Sequence, residues 1–322
     1  MKRRHLFAAA MMAASLLLPA FAQDYPSKPL KLLVPFPPGA GTDATARIVG
    51  QKLSEQLGQP VVVENISGAN GLIGTRAMAR AAPDGYTLGI AAPGPIAIAQ
   101  FLFPNMPYDP EADFTPVIKI NEARIGLAVG PTVPARTVDE LIALIRRNAG
   151  QINAANPTVG SVMHLVAETF KEQGKLDFKL IPYKGGAQAT NEVLGGQVEM
   201  IFNGVSTLAS FAKAGRLRML MVVGDTRSTL VPDVPSSREL GLGYLSGAQW
   251  HGIVVPRATP PAIVARLHAE LAKVLANPEV KEKLAGIGTE VSTGSQEDFA
   301  RFLQSERSRW GPLIKNANIQ PD

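Results

Sequence analysis

Short apolar runs alternate along the chain with longer stretches in which apolar residues recur every three or four positions, patterns that read as buried strands and amphipathic helices. Leu30-Lys31-Leu32-Leu33-Val34 is the first such run, closed by Pro35. From Thr42 onward Ala46, Ile48, Val49, Leu53 and Leu57 keep helical spacing as far as Gly58, a residue suited to a left-handed helix end. The alternation continues with a strand at Val61-Val62-Val63, a small-residue helix from Leu72 to Ala82, a strand from Tyr86 to Ala92, and strand-like runs from Asp113 to Ile120 and Arg124 to Val129. Thr137-Val138-Asp139-Glu140 reads as the capped start of a helix through Arg147. A second unit begins near Gln151, with helices from Val162 to Gly174, Ala187 to Leu194 and Val205 to Ala214 set among strands at Phe178 to Tyr183, Val198 to Asn203 and Leu217 to Val223. After a strand from Trp250 to Val255 the chain ends in helices from Pro260 to Leu275, Pro278 to Leu284 and Ser295 to about Lys315. This order predicts an α/β fold with a mostly parallel sheet covered on both faces.

The junction Val34-Pro35-Phe36-Pro37-Pro38-Gly39-Ala40-Gly41-Thr42-Asp43 carries the first candidate chemistry. Two glycines leave backbone N–H groups unshielded at a helix N-terminus, where unpaired donors and the positive end of the helix dipole favour a carboxylate or phosphate. Prolines 35, 37 and 38 stiffen the approach, so the loop loses less entropy when it closes on a ligand. The same residues also fit an ordinary turn capped by Thr42 or Asp43. They fit a dinucleotide fingerprint too, as Gly39-x-Gly41-x-x-Ala44 with Glu64 where a ribose-binding acid would stand. An exported NAD(P)-dependent oxidoreductase is therefore the alternative, although a dinucleotide loop turns tightly out of its strand and here prolines intervene. Further small-residue loops follow strands at Asn65 to Gly71, Pro93-Gly94-Pro95, Asn156 to Ser161 and Lys184-Gly185-Gly186. Their recurrence in both halves predicts two lobes whose ligand loops face each other across a cleft that binds by closing.

Composition narrows the setting. Lys2, Arg3 and Arg4, an apolar run from Leu6 to Leu18 and the ending Pro19-Ala20-Phe21-Ala22 predict a secretory signal peptide at residues 1–22, with a twin-arginine flavour in Arg3-Arg4. The 322 residues contain no cysteine, which excludes disulfides, thiolate metal sites and a lipoprotein anchor. The signal holds three of the 32 basic residues, leaving 29 against 27 acids, so the mature chain is near neutral and gives no case for a nucleic-acid partner. His164, His251 and His268 are widely separated and supply neither a zinc set nor a Ser-His-Asp triad, and no Gly-x-Ser-x-Gly elbow occurs. An enzyme is not expected.

A family resemblance rests on longer motifs. Tyr25-Pro26-x-Lys28-Pro29-Leu30-Lys31-Leu32-x-Val34-Pro35-Phe36-x-Pro38-Gly39-x-Gly41-Thr42-Asp43, Gly68-Ala69-Asn70-Gly71-x-Ile73-Gly74 and Ala82-Pro83-Asp84-Gly85-Tyr86-Thr87-Leu88 closely resemble the tripartite tricarboxylate transporter substrate-binding receptors, or Bug proteins. The likeness continues through His164-Leu165, Pro182-Tyr183-Lys184-Gly185, Gly195-Gly196-Gln197-Val198, Asp233-Val234-Pro235, Trp250-x-Gly252 and Glu306-x-x-x-Trp310. The resemblance implies a two-lobed periplasmic binding protein (type II-like), with lobe 1 made of residues 23–123 and 229–322 and lobe 2 of residues 124–228. It implies a soluble, monomeric periplasmic receptor without cofactor, which delivers a small organic acid to membrane permease subunits. Carried over, the ligand carboxylate would meet backbone amides and waters at Phe36, Pro38, Gly39, Ala40, Gly41, Thr42 and Asp43, with Ala92, Pro93 and Gly94 beside them. Lobe 2 would add Thr158, Gly160, Ser161, His164, Tyr183, Lys184 and Asn203. Ala40 departs from the family's commoner glycine and puts a methyl where a positive φ would be strained. Asn203 stands where the family often has an acid, which argues against selection of a ligand amine through that carboxylate; Ala92, Pro93 and Gly94 replace the more hydroxyl-rich residues of many relatives, pointing to a less polar wall and an aromatic or hydrophobic acid.

Overall fold

The computed structural model describes residues 25–183 and 185–320. The predicted signal peptide and Lys184 lie outside the described residues. Strand β1 (Leu30–Val34) is buried except at Lys31, and the helix after it, α1 (Gly41–Leu57), lays Ala46, Val49 and Leu53 against the sheet. That helix ends at Gly58, whose φ of 65° is the left-handed stop its sequence predicts. β2 (Val61–Asn65), α2 (Leu72–Ala79) and β3 (Thr87–Ala91) complete the first unit. Residues Gly94–Ile98 then wind as a π-turn into the short α3 (Ala99–Leu102), where the sequence suggested an open loop.

The next strand corrects an expectation. Residues read as two strands form a single one, β4 (Phe114–Val129), because Asn121 and Glu122 break the apolar run without breaking the hydrogen-bond ladder. The second unit contains α4 (Val138–Arg147), β5 (Asn153–Asn156), α5 (Val162–Gly174), β6 (Lys179–Pro182), α6 (Gly186–Leu194), β7 (Met200–Gly204), α7 (Val205–Lys213) and β8 (Arg218–Val222). Residues after β8 stay with it: Val222 N–H donates to Pro235 O at 2.9 Å and Val222 O accepts from Ser237 N–H at 2.8 Å. The chain returns through β9 (Ala248–Pro256) and closes with α8 (Pro261–Ala276), α9 (Pro278–Gly286), β10 (Glu290–Val291) and α10 (Gln296–Asn316).

The strand order is β2-β1-β3-β9-β4-β7-β5-β6, with β8 and β10 also on β4. Parallel pairing holds within β1, β2 and β3 and within β5, β6 and β7, but the junctions through β9 and β4 are antiparallel. The sheet is thus less parallel than the alternation of elements predicted. Because β4 runs on from one half into the other, this arrangement turns the carboxyl ends of β3 and β7 toward each other. Ala91 pairs with Gly252, Gly252 with Lys119, and six residues further along β4 Ile125 pairs with Gly204. At about 3.3 Å per residue the two ends stand roughly 20 Å apart. Loops leaving those ends must face one another.

Candidate functional site

Loop 35–40 and the first turn of α1 form one side of the gap. Ala40 is the N-cap residue, with φ −69° and ψ 158°, and no side chain caps the helix. The methyl of Ala40 therefore meets no strain, and the positive φ falls on Gly39, at 83°. Asp43, only 3% exposed, turns its carboxylate back on the loop, accepting from Gly39 N–H at 2.9 Å and from Arg47 Nε at 3.0 Å through Oδ2, and from Asn65 Nδ2 at 2.9 Å through Oδ1. These partners, the Arg47 guanidinium first among them, hold the carboxyl down to about 2. Two corrections follow. The Gly39 N–H is taken by Asp43 and is not open to a ligand, and the Asp43 side chain is internal structure. Ala44 N–H bonds back to Ala40 O, so the helix donors without a partner among the described residues are the N–H groups of Gly41, Thr42 and Asp43.

The Thr42 hydroxyl is also internal, 3.0 Å from His251 Nε2. His251, 4% exposed, places Nδ1 2.9 Å from Asn121 Oδ1, while Asn121 Nδ2 donates to Thr45 and Thr289 hydroxyls at 3.1 and 3.0 Å. This buried network fastens the start of α1 to β4 and β9. Burial pushes the His251 imidazole down from 6.5 to about 4. Between those values the unfolded chain binds a proton that the folded chain refuses, so stability rises with pH across the window and is lost as pH falls from 6.5 to 4. The loss reaches about 3 kcal/mol at most. Urea midpoints at pH 7 and 4.5 should separate less in His251→Gln than in the native chain; equal separations would remove His251 as the cause.

A cavity of about 140 Å³ lies between the facing loops. Phe36, Asn70, Gly94, Ile98, Leu102 and Phe103 line it from one half, and Thr158, Val159, Gly160, Ser161 and Val162 from the other, with Gln249 of β9 between them. Phe36 is tied to the helix start, since one nitrogen, Asn65 Nδ2, donates both to Phe36 O at 3.0 Å and to Asp43 Oδ1 at 2.9 Å. Gln249 lies two residues from His251 on the same strand, and positions two apart share a face. Both links join the start of α1 to the cavity lining.

A family described as tripartite tricarboxylate transporter family receptor matches residues 45–319. The chain belongs to that family. It is 33% identical over 308 residues to protein BugT of Bordetella pertussis, covering 95% of this chain and 94% of that one. Among solved structures it is similar to R. palustris Rpa4515 with adipate, at TM-score 0.79 and 33% identity over 93% of this chain and all of that one. It is also similar to MatC from Rhodopseudomonas palustris with bound malate, at TM-score 0.74 and 30% identity, covering 90% and 100%. The fold is that of periplasmic solute-binding proteins of this type.

On the far side of the receptor's gap, several predicted residues prove to build loops. His164, 7% exposed, accepts from Gly160 N–H through Nδ1 at 3.0 Å, and Ser161 caps α5 by accepting the His164 N–H. Thr158 turns its hydroxyl onto Pro157 O at 2.6 Å. Asn203, 3% exposed, donates to Gly186 O and Thr190 and accepts from Gly204 N–H, a role that uses both ends of its amide and ties β7 to α6. Tyr183 is half-buried with its N–H on Asn156 O. Ala92 and Pro93 are buried, while an added Cβ at Gly94 would meet open space. Asn70 and Gln249 were not foreseen as site residues, although the loop carrying Asn70 had drawn notice. Asn156, at the end of β5, holds the buried side-chain oxygen that has no partner among the described residues. Trp250 is core, with its indole N–H on Glu306 at 2.9 Å.

Proposed function

We propose that this receptor captures a small organic acid in the periplasm and delivers it to the membrane permease of its transporter. The observation that carries the reading is the uncapped start of α1: three adjacent N–H groups, at Gly41, Thr42 and Asp43, with no partner among the described residues, on a helix start that Asn65 ties to Phe36 of the cavity lining. An acid carboxylate there would complete the donors that a side chain completes in most helices. The relatives holding adipate and malate support the ligand class. No helix among the described residues is long and apolar enough to cross a membrane, which fits a receptor that works beside its permease. We place the lobes on either side of the β4 and β9 crossings, and the bonding of Val222 to Pro235 and Ser237 favours a return to lobe 1 at Ala248 instead of at 229.

The dinucleotide reading has little to stand on. Glu64 pairs with Lys31 at 3.4 Å, and residues 35–40 separate β1 from α1 where a nucleotide loop would turn at once. Calorimetry of the mature chain against a panel of carboxylates, with mass spectrometry of any molecule that co-purifies, tests the proposal. Saturable binding of an acid without turnover is the expected result. A bound nicotinamide cofactor, or failure of every acid to bind, would overturn it.

A further inference from the structure

We infer that the acid this receptor takes is a monocarboxylate with an apolar body of about six carbons, an inference that rests on the reading above. The cavity beside the carboxylate donors is walled by Phe36, Ile98, Leu102, Phe103, Val159 and Val162. No ionisable side chain lines it among the described residues. Its polar members are neutral: the hydroxyls of Thr158 and Ser161 and the amides of Asn70 and Gln249, neither amide having a hydrogen-bond partner among the described residues. The two unpartnered amides, each able to donate and to accept, suit a hydroxyl or carbonyl substituent. A second carboxylate in such surroundings would lose its water and gain no cation, which is unfavourable for any buried charge. Size agrees with this chemistry, since an apolar cavity of about 150 Å³ is known to hold one benzene ring, and this one measures about 140 Å³.

Hexanoate and adipate share a six-carbon chain and differ only in the second carboxylate, so the pair isolates the claim. Calorimetry on the mature chain should find hexanoate and benzoate binding at least tenfold more tightly than adipate. Val159→Lys, on the half-buried loop 157–161, places a cation against the apolar wall and should reverse that order with the far-ultraviolet circular dichroism unchanged. A native chain that prefers adipate overturns the inference while leaving an acid receptor standing, and a preference for adipate that collapses in Lys184→Met would identify the cation responsible. A ratio unmoved by Val159→Lys overturns the placement of the apolar end. If none of the three acids nor any other carboxylate binds, the receptor reading itself fails.

Discussion

Gly41→Pro should weaken carboxylate binding roughly 30- to 150-fold while leaving the melting temperature unchanged or slightly raised. Proline is favoured at the first position of a helix, where its missing N–H has no helical partner anyway. The residue before it, Ala40, already holds the extended conformation that a following proline demands, and an added Cβ at Gly41 meets nothing within 4 Å. The fold therefore loses nothing. A ligand carboxylate loses one charge-assisted donor, a change of about 2–3 kcal/mol. Gly39→Pro is the wrong probe for the same idea, because φ at Gly39 is 83° and proline is locked near −65°. Unaltered acid affinity in folded Gly41→Pro would show that the first-turn amides do not hold the ligand.

The largest effect on stability is expected at Glu306. This carboxylate is 1% exposed and accepts from both fully buried tryptophans, Trp250 Nε1 at 2.9 Å and Trp310 Nε1 at 3.2 Å, with Arg309 on its other oxygen at 2.8 Å. It fastens α10 to β9 near the place where β9 crosses between the halves. Glu306→Ala would leave two indole donors buried and unpaired and should destabilise the receptor by about 3–5 kcal/mol. Glu306→Gln, which keeps an acceptor, should recover much of that loss. Chemical denaturation of the three chains decides the matter, and equal midpoints would place the indoles' stabilisation elsewhere.

Much of the fold was legible because local signals agreed with tertiary demand. The apolar period of α1 and its stop at Gly58, the start of α10 at Ser295 and the proline start of α8 each mark an element to within a residue or two. What escaped were features set by long-range partners. Asn121 looks like a break in a strand until His251, Thr45 and Thr289 are known to satisfy it in the core. The antiparallel insertion of β9 between β3 and β4 has no local mark, since its neighbours lie more than a hundred residues away in sequence.

The site divided in the same way. A glycine-flanked helix start is visible in a string of letters, so the sequence marks Gly41, Thr42 and Asp43 as a candidate anion cradle. The letters did not show that Asp43 occupies the Gly39 N–H, that His164 locks Gly160, or that Asn203 is consumed by α6. Each is a polar residue whose partner is chosen by folding. Ile98, Leu102 and Phe103 gave no functional signal either, because apolar residues that wall a cavity read the same as apolar residues that fill a core.

In the proposed site main-chain N–H groups grip the acid, and nitrogen-15 NMR titration of the assigned mature chain with benzoate reads those groups directly. The amides of Gly41, Thr42 and Asp43 should shift together and saturably, further than any others, as their protons take up the carboxylate. If saturating benzoate leaves those three resonances in place and moves amides remote from α1 and the cavity, the central claim is contradicted.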